Sequence, residues 1–143
     1  MDIAQVIANR SATDIISCQI TTRVRDAIAM LAQRRIGALP VVDGGRVVGI
    51  FSERDVIYRL ASEGDDGLSL QVGQVMTSPA VTVDAATSVV DALALMTSRR
   101  FRHLPVMRGS ELIGFVSIGD LVKSRLDEIQ HEAEAMREYI THG

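Results

Sequence analysis

Two stretches of this chain carry residue types able to do chemistry at one repeated spacing. They are Gly49-Ile50-Phe51-Ser52-Glu53-Arg54-Asp55 and Gly114-Phe115-Val116-Ser117-Ile118-Gly119-Asp120. Each sets a hydroxyl three residues before a carboxylate, with a glycine three residues before the hydroxyl. One reading is helix capping. Ser-x-x-Asp before an apolar helix resembles a capping box in which Asp replaces the usual Glu or Gln, and Asp suits the positive end of the helix dipole. The other reading is ligand binding. A strand glycine often marks close approach by something else, and a helix start offers free N–H groups and a positive field to phosphate. Ser can donate to a phosphate oxygen, Asp can accept from both hydroxyls of a ribose, and Gly leaves room for the sugar.

The elements that position these motifs are themselves duplicated. Sliding the chain by 65 positions aligns Thr22–Asp55 with Thr87–Asp120 without a gap, and fourteen of thirty-four positions are identical. Average residue usage would give roughly two or three. Each copy opens with a short apolar stretch, Ile15–Cys18 or Ala80–Val83, expected to be a strand. Thr21 and Thr22, or Thr87 and Ser88, are the expected helix N-caps. Apolar residues then recur at helical spacing: Val24, Ile28 and Leu31; Val89, Leu93 and Met96. "LPVVD" and "LPVM", a turn at Gly44-Gly45 or Gly109-Ser110, and a β-branched run predict a hairpin. Pro40 and Pro105 fall where strands are expected to start. Ser52 and Ser117 open a second helix.

The unit therefore reads β-α-β-β-α. About 60 residues bury too little surface to be secure alone, so two copies should pack side by side about a pseudo-twofold with a cleft between them. The expected class is α+β, of α/β type: two β-α-β-β-α units forming one compact module, plus a C-terminal helix. The expected boundaries are 1–62 for the first unit with its N-terminal lead-in, 63–75 for a linker, 76–126 for the second unit and 127–143 for the terminal helix.

The combined pattern resembles a tandem pair of CBS domains, a Bateman module. The likeness rests on "IGALPVVDGGRVVGIFSERDV", "FRHLPVMRGSELIGFVSIGDL" and "VMTSPAVTVDAATSVVDALALM", and runs from about Ile7 to Leu126. The resemblance implies adenosine ligands in two clefts. It implies Asp55 and Asp120 on the ribose and Ser52 and Ser117 on the phosphate side. Ile16 and Val81 would pack on the base, and Gly37-Ala38 and Arg102-His103 would line the ligand. Because the copies differ there, Arg54 and Arg102 are the candidate phosphate cations, and the two clefts are candidates for different ligands. His103 could sense protonation, with plain packing as the alternative. The ligand class is AMP, ADP, ATP, NAD or S-adenosylmethionine, with no catalytic cofactor.

Bulk properties set the bounds. The chain has 143 residues, 47% hydrophobic and only 3% aromatic, with no Trp, so its core must be aliphatic. A net charge of −3 argues against a protein whose main work is gripping nucleic acid. The one cysteine, Cys18, excludes an intrachain disulfide and reads as a small buried residue. His103, His131 and His142 lack metal-ligand spacing, so no metal site is expected. The N-terminus does not read as a signal peptide, no apolar run is long enough for a membrane span, and a cytoplasmic protein is expected. No nucleophile–base set suggests an enzyme. Leu126, Ile129, Ala133, Met136 and Ile140 form a short heptad seam. It suits contact with a second copy in a homodimer, the alternative being packing on its own core. The expected function is a stand-alone regulatory module that binds adenosine ligands and signals to an unknown partner protein. The rivals are a constitutive scaffold with idle clefts and a single-strand nucleic-acid binder.

Overall fold

The computed structural model describes residues Met1–His142. The first unit contains β1 (Cys18–Gln19), α2 (Val24–Arg34), β2 (Ala38–Asp43), β3 (Arg46–Ser52) and α3 (Glu53–Glu63), preceded by a short α1 (Ile3–Ile7). After a 3-10 segment (Gly64–Ser69) and α4 (Val72–Val75) come α5 (Val89–Arg99), β4 (His103–Arg108), β5 (Glu111–Ser117) and α6 (Ile118–His142). From α2 onward the 65-residue shift holds to the residue: helix starts at Val24 and Val89, left-handed residues at Arg35 and Arg100, and bulges after Val41 and Val106. The hairpins turn at Gly44 (φ 57°) and Gly109 (φ 60°), a region open to glycine at little steric cost.

The first strand of each copy is shorter than expected. Only Cys18 and Gln19 form β1, pairing in parallel with Val41 and Val42. In the second copy the strand shrinks to one bridge, Val83 to Val106. That shortness explains the prolines, which sit two residues inside β2 and β4 rather than at their starts. Pro40 precedes Val41, the first residue of β2 that pairs with β1, so its missing N–H falls beyond the end of β1.

The N-cap expected at Thr21 or Thr22 is also displaced. The cap of α2 is Arg23, which makes no side-chain hydrogen bond there. A backbone carbonyl does that work instead: Val24 N–H donates to Leu70 O (2.8 Å). Thr22 Oγ1 turns back to accept from Gln19 N–H (3.0 Å). In the second copy Ser88 does cap, accepting from Asp91 N–H (3.0 Å).

Leu70 belongs to the stretch expected to be a linker, and its position reveals how the cores are completed. Each copy is closed by the segment that precedes the other copy. Val72 and Val75 of α4 are buried with Cys18, Leu39, Val41 and Phe51 of the first unit. Ile3 of α1 is fully buried with Val89, Leu104, Val116 and Leu121 of the second. Backbone bonds fix the exchange. Val72 N–H donates to Thr22 O (2.8 Å), while Ile3 N–H donates to Thr87 O (2.9 Å). The two apolar clusters are thus separate, rather than one shared face between bare units. The N-terminal lead-in serves the second core and the connecting stretch serves the first.

These crossing segments also account for the strand glycines. A Cβ on Gly49 would lie 2.7 Å from Met76 Sδ and 2.8 Å from Thr77 O. On Gly114 it would lie 3.1 Å from two carbons of Ile7. At Gly49 the close neighbour is the chain itself, whereas Gly114 also lines a cavity between the copies, where room for a sugar remains an expectation. Cys18 is buried, and burial pushes its thiol up to about 11, which suits an unreactive core residue.

Candidate functional site

Both Ser-x-x-Asp motifs sit at the junction of a strand and a helix, where the chain turns into α3 and α6. Ser52 N–H donates to Asp55 Oδ2 (2.9 Å), and the Ser52 hydroxyl donates to the same oxygen (3.2 Å). Ser117 N–H donates to Asp120 Oδ2 (2.9 Å), and Ser117 Oγ accepts from Asp120 N–H (3.1 Å). Each carboxylate therefore closes a local cap. Each also holds a group from a crossing segment. Thr77 Oγ1 donates to Asp55 Oδ1 (3.0 Å). Arg10 forks onto Asp120, with Nη2 3.0 Å from Oδ1 and Nη1 3.3 Å from Oδ2.

A cavity of about 430 Å³ opens beside Asp120, a size suited to a small-molecule ligand. The first unit contributes Ile16, Arg35, Gly37 and Ala38 to its wall. The second contributes His103, Phe115, Ser117 and Asp120, and the N-terminal segment adds Arg10, Ser11 and Asp14. Six of the residues singled out in the sequence thus meet here: Ile16, Gly37, Ala38, His103, Ser117 and Asp120. They come from both copies, which is why linear sequence separates them.

The remaining candidates do not line this cavity. Ser52 and Asp55 lie at the pseudo-equivalent junction, with Thr77 against the carboxylate. Val81 packs against the second core. Arg102 is exposed, and its carbonyl accepts from Ile118 N–H (2.8 Å). The Arg54 guanidinium donates to Arg100 O (2.9 Å), at the left-handed residue ending α5. Arg54 is thereby committed to a backbone carbonyl of the other copy.

Burial and partners tune the two titratable groups of the wall. Burial alone would raise the Asp120 carboxyl. The Ser117 N–H, the Arg10 guanidinium and the Ser117 hydroxyl outweigh it and hold the group below the usual carboxylate range. His103 stacks on Phe115 with ring centroids 5.5 Å apart. Burial pushes its pKa down, Asp120 and Glu53 oppose that, Arg102 adds to it, and the net direction is downward.

Sequence reasoning missed Arg10, Arg35, Ser11 and Asp14. The gap-free repeat begins at Thr22, and these residues precede it or, for Arg35, read only as one of a duplicated pair of arginines. The available signal was length. Ile7 and Met76 occupy equivalent places over Gly114 and Gly49. From Ile7 to Cys18 is eleven residue steps, whereas from Met76 to Val83 is seven. The first crossing segment is four residues longer, and a 3-10 turn (Ala12–Asp14) takes up the excess beside the cavity.

Among the described residues no group of three or more His, Cys, Asp or Glu is placed to hold a metal ion. No helix among them is long and apolar enough to cross a membrane.

Paired β-α-β-β-α units with exchanged lead-ins and an inter-unit cavity define a class of duplicated α+β folds, and comparison with known proteins places the chain within it. The family model for the CBS domain matches residues 4–62 and 72–127, and the chain belongs to the CBS-domain family as a tandem pair. It is 37% identical over 131 residues to the mitochondrial CBS domain-containing protein CBSX3 of Arabidopsis thaliana, covering 88% of this chain and 64% of that protein's length. The fold matches a CBS-domain containing protein of Agrobacterium tumefaciens with a TM-score of 0.83 at 32% identity, covering 87% of this chain and 99% of that one. It also matches CBSX2 in complex with AMP, with a TM-score of 0.70 at 25% identity, over 82% of this chain and 92% of that one.

Proposed function

We propose that this CBS pair is a regulatory module that takes an adenosine-containing ligand in the cavity beside Asp120 and transmits occupancy to a partner protein. The observation that carries this reading is the convergence of Ile16, Gly37 and Ala38 from one copy with Ser117 and Asp120 from the other around one cavity. An apolar side chain and a close backbone suit a purine, and a carboxylate at the rim suits a cis-diol. A ligand bridging two copies favours whichever relative arrangement binds it better, which is the requirement for signalling. The AMP complex of CBSX2 supports the adenosine class. The choice among AMP, ADP, ATP, NAD and S-adenosylmethionine belongs to experiment. In this reading the module acts by binding.

Thermal unfolding of nucleotide-stripped protein against those five ligands tests the reading. A ligand at about 100 times its Kd adds about 2.7 kcal/mol to native stability, so one or more should raise the midpoint in a concentration-dependent way. Asp120→Asn, which keeps the cap but removes the charge, should abolish the rise. One observation favours the rival scaffold reading. Both aspartates are already engaged by Thr77 or Arg10 within the chain. No midpoint shift with any ligand at millimolar concentration would establish that rival.

The exposed seam on α6 supports a second copy as a partner. Leu126, Ile129, Met136 and Ile140 are all exposed on the long terminal helix, at heptad spacing.

A further inference from the structure

The two aspartates of the repeated motif are satisfied in different ways, and the difference traces to the four extra residues of the first crossing segment. In the first unit, Thr77 holds the strand-to-helix junction by two contacts. Its backbone N–H donates to Ile50 O (2.9 Å), and its hydroxyl donates to Asp55 Oδ1 (3.0 Å). In the second unit, one guanidinium covers both positions. Arg10 Nη1 reaches Phe115 O (3.4 Å), the equivalent of Ile50 O, while the fork grips Asp120. The residue directly equivalent to Thr77 is Ala8, which has no hydroxyl to offer.

A neutral hydroxyl tied to rigid backbone has been replaced by a cation on a long side chain. That side chain is 42% exposed and stands at the cavity wall. A fork held by a carboxylate at 3.0 and 3.3 Å is a charge-assisted contact that another anion can compete for. A second cation, Arg35, stands on the same wall. Arg35 occupies the left-handed end of α2 (φ 53°), a position more comfortably filled by glycine.

Resting on the adenosine reading above, we infer that Arg10 is an exchangeable counter-ion that makes this cavity select phosphorylated over unphosphorylated adenosine. In the empty cavity Arg10 neutralises Asp120. When a ribose diol donates to Asp120, the carboxylate keeps its charge and its hydrogen bonds. The released guanidinium then pairs with the ligand phosphate, aided by Arg35. A nucleoside without phosphate takes Asp120 from Arg10 and returns nothing to it. Adenosine therefore competes with Arg10, whereas AMP compensates it. The pseudo-equivalent junction, closed by Thr77, has no such device. The sequence-based choice of Arg54 and Arg102 as phosphate cations is replaced at this cavity by Arg10 and Arg35.

Calorimetric titration with AMP and with adenosine tests the inference. Every protein carries Asp55→Asn so that only the Asp120 cavity is read. The parent should bind AMP at least about tenfold more tightly than adenosine, a difference of about 1.4 kcal/mol. Arg10→Ala should weaken AMP and leave adenosine unchanged or tighter, bringing the two within about threefold of each other. Arg10→Lys should recover part of the preference, since it restores charge without the fork. Equal affinities in the parent overturn the inference, as does an Arg10→Ala protein that loses both ligands in the same proportion. Either result leaves the adenosine site standing. Binding of neither ligand overturns the inference, whereas the adenosine site itself falls only if none of the five ligands raises the unfolding midpoint.

Discussion

His103 has the environment of a proton-sensitive residue. It stacks on Phe115, lies near Asp120, Glu53 and Arg102, and is held below its ordinary pKa chiefly by burial. Above about pH 7 it is neutral in folded and unfolded chains alike and contributes no pH dependence. As pH falls through about 6.5 the unfolded chain takes up the proton first, and native stability declines. Asp120 acts in the same direction at lower pH. Its lowered pKa contributes stability that is fully present above about pH 4 and lost below it. The two windows do not overlap. Unfolding midpoints followed from about pH 7.5 to pH 5 should fall in the parent and stay nearly flat in His103→Gln. An unchanged slope in the variant would assign the effect to other groups.

At the scale of elements, the crossing segments make strong claims about the strand glycines. The Cβ of Gly49→Ala meets the backbone oxygen of Thr77, which accepts from Ile50 N–H while Thr77 N–H donates to Ile50 O, so this backbone cannot retreat. The Cβ of Gly114→Ala meets side chains rather than backbone, Ile7 Cδ1 and Cγ2 at 3.1 Å and Val106 Cβ at 3.4 Å, and the Ile7 side chain can shift. Overpacking of this kind costs about 1–3 kcal/mol. Gly49→Ala should fall in that range, and Gly114→Ala should cost less than about 1 kcal/mol, because the gain from restricting the unfolded chain offsets a small shift. Urea unfolding at unchanged m-value is the measurement. Equal costs at both sites would mean that the two segments press on their strands alike.

Across the whole molecule, α6 runs unbroken from Ile118 to His142. The expected second helix of the repeat and the expected terminal helix are therefore one element, with Gly143 lying outside the described residues. Its first turns bury Leu121, while residues 129–142 are exposed along their length. The seam therefore does not pack on its own core, and the proposed second copy would cover it. The paired substitution Ile129→Glu and Met136→Glu places charge on the seam without touching either core. Light scattering after size exclusion should show a dimer for the parent and a monomer for the variant. A monomeric parent would exclude the homodimer.

Much of this architecture is written in local chemistry. The duplication, helical spacing, hairpin turns and Ser-x-x-Asp caps depend on residues within a few positions of each other. One sequence therefore suffices to place α2, β2, β3 and their counterparts. Of the six wall residues singled out in the sequence, Ser117 and Asp120 stand in the repeated motif, while Ile16, Gly37, Ala38 and His103 were legible through the resemblance to CBS pairs. What sequence could not supply was partnership across the chain. Val72 reads as part of a linker leading into the second copy, yet it completes the first core. Arg10 reads as a surface arginine in a lead-in, yet it forks onto Asp120, 110 positions away. Only tertiary structure decides such pairings, because which segment covers an apolar face, and which cation reaches a carboxylate, depends on where the crossing chain returns.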